Sequence, residues 1–158
     1  MPDIQFDNIP PILKERPQWV VWRYETRQGQ EKPTKVPYNA RNGRMAKTDH
    51  PDTWSTYEAA CAALARSKRF DGIGFVVTAD DPFAGVDLDD CINLETGEIS
   101  AQAAEIVARL DSYTEITVSG TGLRIWVQGT LPPGKRRVGH IEMYDDVRFF
   151  TITGRLVA

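Results

Sequence analysis

Cysteine and histidine are scarce in this chain of 158 residues, with two of each: Cys61, Cys91, His50 and His140. The cysteines lie in no metal-ligand spacing, so neither a thiolate zinc site nor a disulfide framework is expected, and two free thiols in a reducing cytosol are. No run of eighteen apolar residues occurs, so no membrane-spanning helix and no membrane partner are expected. The opening Met1-Pro2-Asp3-Ile4 lacks the basic and apolar regions of a secretory signal, which again points to the cytoplasm. Internal repeats and low-complexity tracts are absent too. A Ser–His–acid hydrolase finds little support, because His50 sits in a Pro-flanked loop and no nucleophile elbow is present.

What remains is an ordinary globular composition, 41% hydrophobic and 26% charged, long enough for one domain with a real core. The net charge of −3 argues mildly against a general nucleic-acid binder, but the charges are segregated. Arg23 to Lys47 holds seven basic and two acidic residues, whereas Asp80 to Glu95 holds six acidic residues and no basic one. An acidic centre with basic flanks suits a protein that holds cations and grips phosphates around them, although surfaces also segregate charge by chance.

The periodicity predicts an α+β fold, a mostly antiparallel sheet with two main helices. Gln18 to Tyr24 reads as a buried strand, and Pro33 and Pro37 keep the next segment extended. A helix is expected to open at Asp52-Thr53-Trp54 and run through Tyr57, Cys61 and Leu64, and a second to span about Ser100 to Leu110 with Ser100 as its N-cap. Gly72 to Thr78 and Phe83 to Asp89 read as the arms of a hairpin. Strands are also expected at Thr114–Val118, Leu123–Val127, His140–Tyr144 and Val147–Thr153.

Asp87 and Asp89 flank Leu88 at the end of an apolar run. On a strand they share one face, with Cβ atoms roughly 6–7 Å apart, while Val86 and Leu88 point into the core. Such a pair is either a solvated acidic strand end or a pair of ligands for hard cations, which would relieve the mutual repulsion. Ser119-Gly120-Thr121-Gly122 is either a simple hairpin turn or a phosphate cradle, and Arg124 follows it on a strand that it shares with Trp126. Glu142 is either a surface acid or a third metal ligand. Arg148 lies where a tight hairpin would return it to Glu142, as a salt bridge or a phosphate contact. Lys32, Lys35, Arg41, Arg44 and Lys47, interleaved with Tyr38 and Asn39, form either a solvated loop or a track for a nucleic-acid backbone. Gly129 to Lys135 imitates a P-loop, but Arg136 replaces the Mg²⁺-binding hydroxyl and no helix follows. An EF-hand from Asp87 to Glu98 fails because Ile92 stands where the loop requires glycine.

Taken in order, Gly-Val-Asp-Leu-Asp (85–89), Ser-Gly-Thr-Gly-Leu-Arg-Ile-Trp-Val (119–127), Ile-Glu-Met-Tyr (141–144) and Arg-Phe-Phe-Thr-Ile-Thr-Gly (148–154) resemble the archaeo-eukaryotic primase superfamily. The likeness is to the primase-polymerase domains at the N-termini of phage and plasmid replication proteins. It extends to Pro17-Gln18-Trp19, Lys32 to Tyr38 and Thr53-Trp54, and so to nearly the whole chain.

The resemblance implies an RRM-like palm over about residues 71–158 and a smaller N-terminal α/β lobe over about 1–70, together one catalytic domain. It implies that Asp87, Asp89 and Glu142 are catalytic acids holding two Mg²⁺ or Mn²⁺ ions. Ser119, Gly120, Thr121, Gly122, Arg124 and Arg148 would bind the triphosphate, with Phe149 facing the sugar. Many members carry histidine where this chain has Arg124, which binds phosphate but shuttles no proton. The implied partners are nucleoside triphosphates, a single-stranded DNA template and a helicase domain or protein, in a bacterium or phage-infected host. Polymerising members usually continue beyond the third motif, so either a C-terminally trimmed module or a minimal protein without processive activity is expected. A silent nucleic-acid-binding module and a metal-dependent nuclease are the alternatives.

Overall fold

The computed structural model describes residues 3–157. Three helices, α1 (Pro11–Lys14), α2 (Tyr57–Arg66) and α3 (Ala101–Leu110), accompany nine strands. The strands are β1 (Trp19–Glu25), β2 (Thr34–Tyr38), β3 (Gly72–Val77), β4 (Phe83–Leu88), β5 (Thr114–Ile116), β6 (Leu123–Gln128), β7 (Arg137–Val138), β8 (Ile141–Tyr144) and β9 (Arg148–Ile152). The fold is α+β, as the periodicity predicts, but with two antiparallel sheets instead of one. They run β2-β1-β3-β9 and β5-β6-β4-β8-β7. The first sheet thus draws β3 and β9 from the part of the chain that also builds the second.

Side chains cap the starts of α2 and α3. Ser100 accepts from the Ala103 amide at the start of α3, as expected. The other expectation fails in detail: Pro51–Thr53 forms a separate 3-10 turn, and α2 starts at Tyr57 with Thr56 as its N-cap. Thr53 is instead spent on the loop, its hydroxyl bonding to the His50 carbonyl, so it is not available to cap a helix.

The expected hairpin between β3 and β4 does not form, because the two strands belong to different sheets. Asp81 steers the crossing. Its carboxylate accepts from the amides of Thr78 and Phe83 and from the side chain of Gln18. The turn is therefore built by side-chain bonds that replace the hairpin ladder.

The second sheet separates its residues by alternation. Val86, Leu88, Leu123 and Ile125 pack with Ala103, Ile106 and Val107 of α3. Phe83 and Trp126, on the other face, join Phe75 and Phe150 of the first sheet in the main core. Gly85 lets the two sheets meet: a Cβ there would lie 2.7 Å from the Phe150 ring. Overpacking of this kind costs about 1–3 kcal/mol, so Gly85→Ala is expected to lower the urea midpoint with an unchanged slope. An unaltered midpoint would show that Phe150 moves aside freely.

Candidate functional site

Register builds the site. Asp87 on β4 stands opposite Arg124 on β6 and opposite Glu142 on β8. Arg124 in turn faces Glu115 on β5, and Glu142 faces Arg137 on β7. One row across all five strands therefore reads Glu115, Arg124, Asp87, Glu142, Arg137, with neighbouring Cβ atoms about 5 Å apart. Like charges opposite one another are unfavourable, yet Asp87 and Glu142 are neighbours and both are buried. Arginines offset the repulsion.

Arg124 donates through Nε to Asp87 Oδ1 at 2.6 Å and through Nη1 to the carbonyl and hydroxyl of Thr151 on β9. Its guanidinium carbon lies 5.1 Å from the centre of the Phe150 ring. Arg124 is 7% exposed, so much of its bonding capacity clamps the second sheet to the first. Glu142 Oε1 lies 3.0 Å from Arg137 Nη1, and Oε2 lies 3.6 Å from Arg148 Nη2. Arg148 does reach Glu142, but not through a hairpin, because β8 and β9 lie in different sheets. Its guanidinium rests over Tyr144 at 4.3 Å.

Asp89 departs from the expected geometry. β4 ends at Leu88, and Asp89 lies in the following turn, its amide donating to the His140 carbonyl at 2.8 Å. The next residue, Asp90, takes a positive φ of 51°, which turns the chain away from the ladder. Burial pushes the Asp89 carboxyl above its ordinary value, and the charges of Asp87 and Glu142 push it the same way, while Arg137 opposes them. The three acids therefore lie within one another's field.

A carboxyl raised in this way lends stability that is full below its ordinary value of 3.8 and is lost as pH rises through the folded value. Asp89→Asn is expected to gain thermal stability over the wild type as pH rises above the ordinary carboxyl value of 3.8, without divalent ions. A difference independent of pH would show that Asp89 does not feel its neighbours.

Lys35 on β2 brings a cation to the same place. Burial lowers its pKa, as do Arg124 and Arg148, while Asp87 and Asp89 raise it. Lys32, Arg44 and Lys47 are exposed, and Arg41 spends its guanidinium on the carbonyls of Asp52 and Trp54.

The Ser119–Gly122 turn docks on the end of β4. The Thr121 carbonyl accepts from the amides of Cys91 and Ile92, and Gly120 takes φ +80°. The Ser119 and Thr121 hydroxyls bond to each other at 2.9 Å. Phe149, adjoining Arg148, packs on Gly74 and against Val20, Ala46, Trp54 and Val76.

Three residues of the site had little or no signal in the sequence: Glu115, Arg137 and Thr151. Glu115 is fully buried and accepts from the Tyr113 hydroxyl and the amides of Thr153 and Gly154. Burial pushes its carboxyl up, against the pull of Arg124 and these donors. An acid between Thr114 and Ile116 on a strand was the one trace it left.

Among the described residues, no three His, Cys, Asp or Glu side chains already form a group able to hold a metal ion. Asp87 and Glu142 are turned to arginines. The donors are nonetheless all carboxylates, without thiolate or imidazole, which is the chemistry of hard divalent cations. No helix among the described residues is long and apolar enough to cross a membrane.

Fold and site together define an α+β protein whose two sheets bring acids, cations and a glycine turn to one place. No family model matches the chain. It is similar to a DNA primase-polymerase of Nitratiruptor phage NrS-1, with 35% identity over 157 residues. The similarity covers 94% of this chain and 21% of that protein, so the chain spans about a fifth of the length of the curated relative it matches.

Proposed function

We propose that this chain is the nucleotidyl-transfer core of a primase-polymerase, joining nucleoside triphosphates on a single-stranded DNA template. The observation that carries this reading is the cross-strand row, which sets Asp87 beside Glu142 with Asp89 in their field. Similarity to the phage primase-polymerase supports it. In this reading the five-stranded sheet with α3 is the RRM-like palm.

Asp87, Asp89 and Glu142 would hold Mg²⁺ or Mn²⁺, two ions in all. When bound, they supply an activated primer hydroxyl and charge stabilisation for the leaving pyrophosphate. The protein's own groups do the rest. Arg137 and Arg148 neutralise Glu142, and each is exposed enough that it would be free to turn to phosphate. Lys35 supplies a further cation from the first sheet, and the Ser119–Gly122 turn offers amide and hydroxyl donors to the triphosphate. Arg124 holds Asp87 in place and thereby acts as a positioning residue.

The pairing of Asp87 and Glu142 with arginines favours one second reading, a module that binds nucleic acid or nucleotide without turnover. Primer extension with ribo- and deoxyribonucleotides, in Mg²⁺ and in Mn²⁺, separates the two. Metal-dependent extension supports the polymerase. Metal-independent binding without extension supports the module, and shortening of the primer without triphosphates marks a nuclease.

A further inference from the structure

A cavity of about 900 Å³ lies at the end of the first sheet and is not lined by Asp87, Asp89 or Glu142. We infer that it receives a single-stranded segment of nucleic acid, an assignment that rests on the primase-polymerase reading and gives the template its place.

Its platform is aromatic. Tyr24 is 42% exposed and stands edge-on to Trp22, with centroids 5.1 Å apart and planes at 87°. Trp22 is itself buried and fixed by its Nε1 bond to the Ile73 carbonyl at 3.0 Å. A ring held in this way accepts a stacked base at little entropic cost, whichever base it is.

Cations surround the platform. Arg66 and Lys68 reach the cavity from the end of α2, and both are exposed. Arg155 lines it from beyond β9. It donates Nη2 to the Thr117 carbonyl at 2.6 Å, while its Nε is buried without a partner. Two acids line it as well: Asp71 accepts from the Tyr24 amide at 2.8 Å and Asp3 from the Gln5 side chain at 3.0 Å, so the three cations outnumber them by one. Phosphates on either side of a stacked base would meet this arrangement.

Two of the residues lining the cavity each touch a neighbour that leads on toward the candidate site. Tyr24 pairs directly with Lys35 in the β1–β2 register, and Lys35 is the cation that feels Asp87 and Asp89. Arg155 holds Thr117, whose amide donates to the Gly122 carbonyl and closes the glycine turn. A strand seated on Tyr24 would thus have Lys35 beside it on one strand and Thr117, next to the glycine turn, across the cavity. The volume lies near the top of the range for pockets that hold one small ligand, which leaves room for more than a single base.

The test is fluorescence anisotropy of a labelled oligodeoxynucleotide of about ten residues, without metal ions or triphosphates. Tyr24→Ala is expected to weaken binding about tenfold. Lys68→Glu is expected to weaken it and to flatten its salt dependence. The charge-matched control Arg109→Glu, on exposed α3, is expected to bind as the wild type does. Thermal melts of each variant check that the fold is retained.

Wild-type binding by both Tyr24→Ala and Lys68→Glu would overturn the inference. So would variants that lose affinity for a free nucleoside triphosphate while keeping it for the oligonucleotide, since the cavity would then be a nucleotide subsite. Failure here is distinguishable from failure of the primase-polymerase reading, which is decided by extension with the acid variants. Inactive acid variants alongside unaffected cavity variants would remove only the cavity assignment.

Discussion

Asp89→Asn is expected to reduce nucleotide addition about a thousandfold or more while leaving the protein folded and no less stable near neutral pH. Charge stabilisation by a bound metal ion is worth several kcal/mol, and each 1.36 kcal/mol is a factor of about ten in rate. Asp89 is half-buried among like charges and, among the described residues, its carboxylate makes no salt bridge, so its neutral isostere removes repulsion and little else. Asp87→Ala is expected to be as inactive but for mixed reasons. It leaves Arg124 buried and unpaired, which costs about 3–5 kcal/mol. Melting temperature separates the two cases: Asp89→Asn should melt at or above the wild-type temperature, and Asp87→Ala well below. Extension at wild-type rate by Asp89→Asn, in both Mg²⁺ and Mn²⁺, would remove the acid from the mechanism.

Arg124→Ala is the second large effect, expected to cost about 3–5 kcal/mol, or roughly 10 °C in Tm for a domain of this size. One guanidinium joins three things: the Asp87 carboxylate, the backbone and hydroxyl of Thr151, and the face of Phe150. Its removal strands a carboxylate in the core and releases β9, which also carries Arg148. Replacing both members, Asp87→Leu with Arg124→Met, is expected to recover much of the stability, because a buried ion pair exchanged for apolar groups of similar volume is often close to neutral. A double-mutant cycle gives the coupling directly. If the two single losses simply add, the clamp between the sheets is not a unit.

Several parts of this arrangement were legible in the residues. The alternation in Leu123 to Val127 placed Arg124 and Trp126 on one face, and that face is the one turned from α3. Ser100 marked the start of α3, and Pro33 and Pro37 kept β2 extended. Other parts were not. Asp89 continues the apolar-acidic alternation and so reads as strand, yet the ladder ends at Leu88 and Asp90 turns the chain away at positive φ. The β3–β4 connection looks like a hairpin turn, yet Asp81 satisfies the amides that a hairpin would have paired. Glu115 looked like any acid on a short strand, because the amides that hold it come from Thr153 and Gly154, nearly forty residues away.

By itself the order of residues determined the two longer helices, most of the strands and which side of each is apolar, because those follow from local periodicity, caps and prolines; the short α1 and β7 and the end of β4 it did not. Which strand lies beside which, and in what register, was decided only by the tertiary structure. Pairing joins segments far apart in the chain, and a slip of one residue would send every side chain to the opposite face. The row from Glu115 to Arg137 exists only in that register. So does the clamp that Arg124 makes between the two sheets.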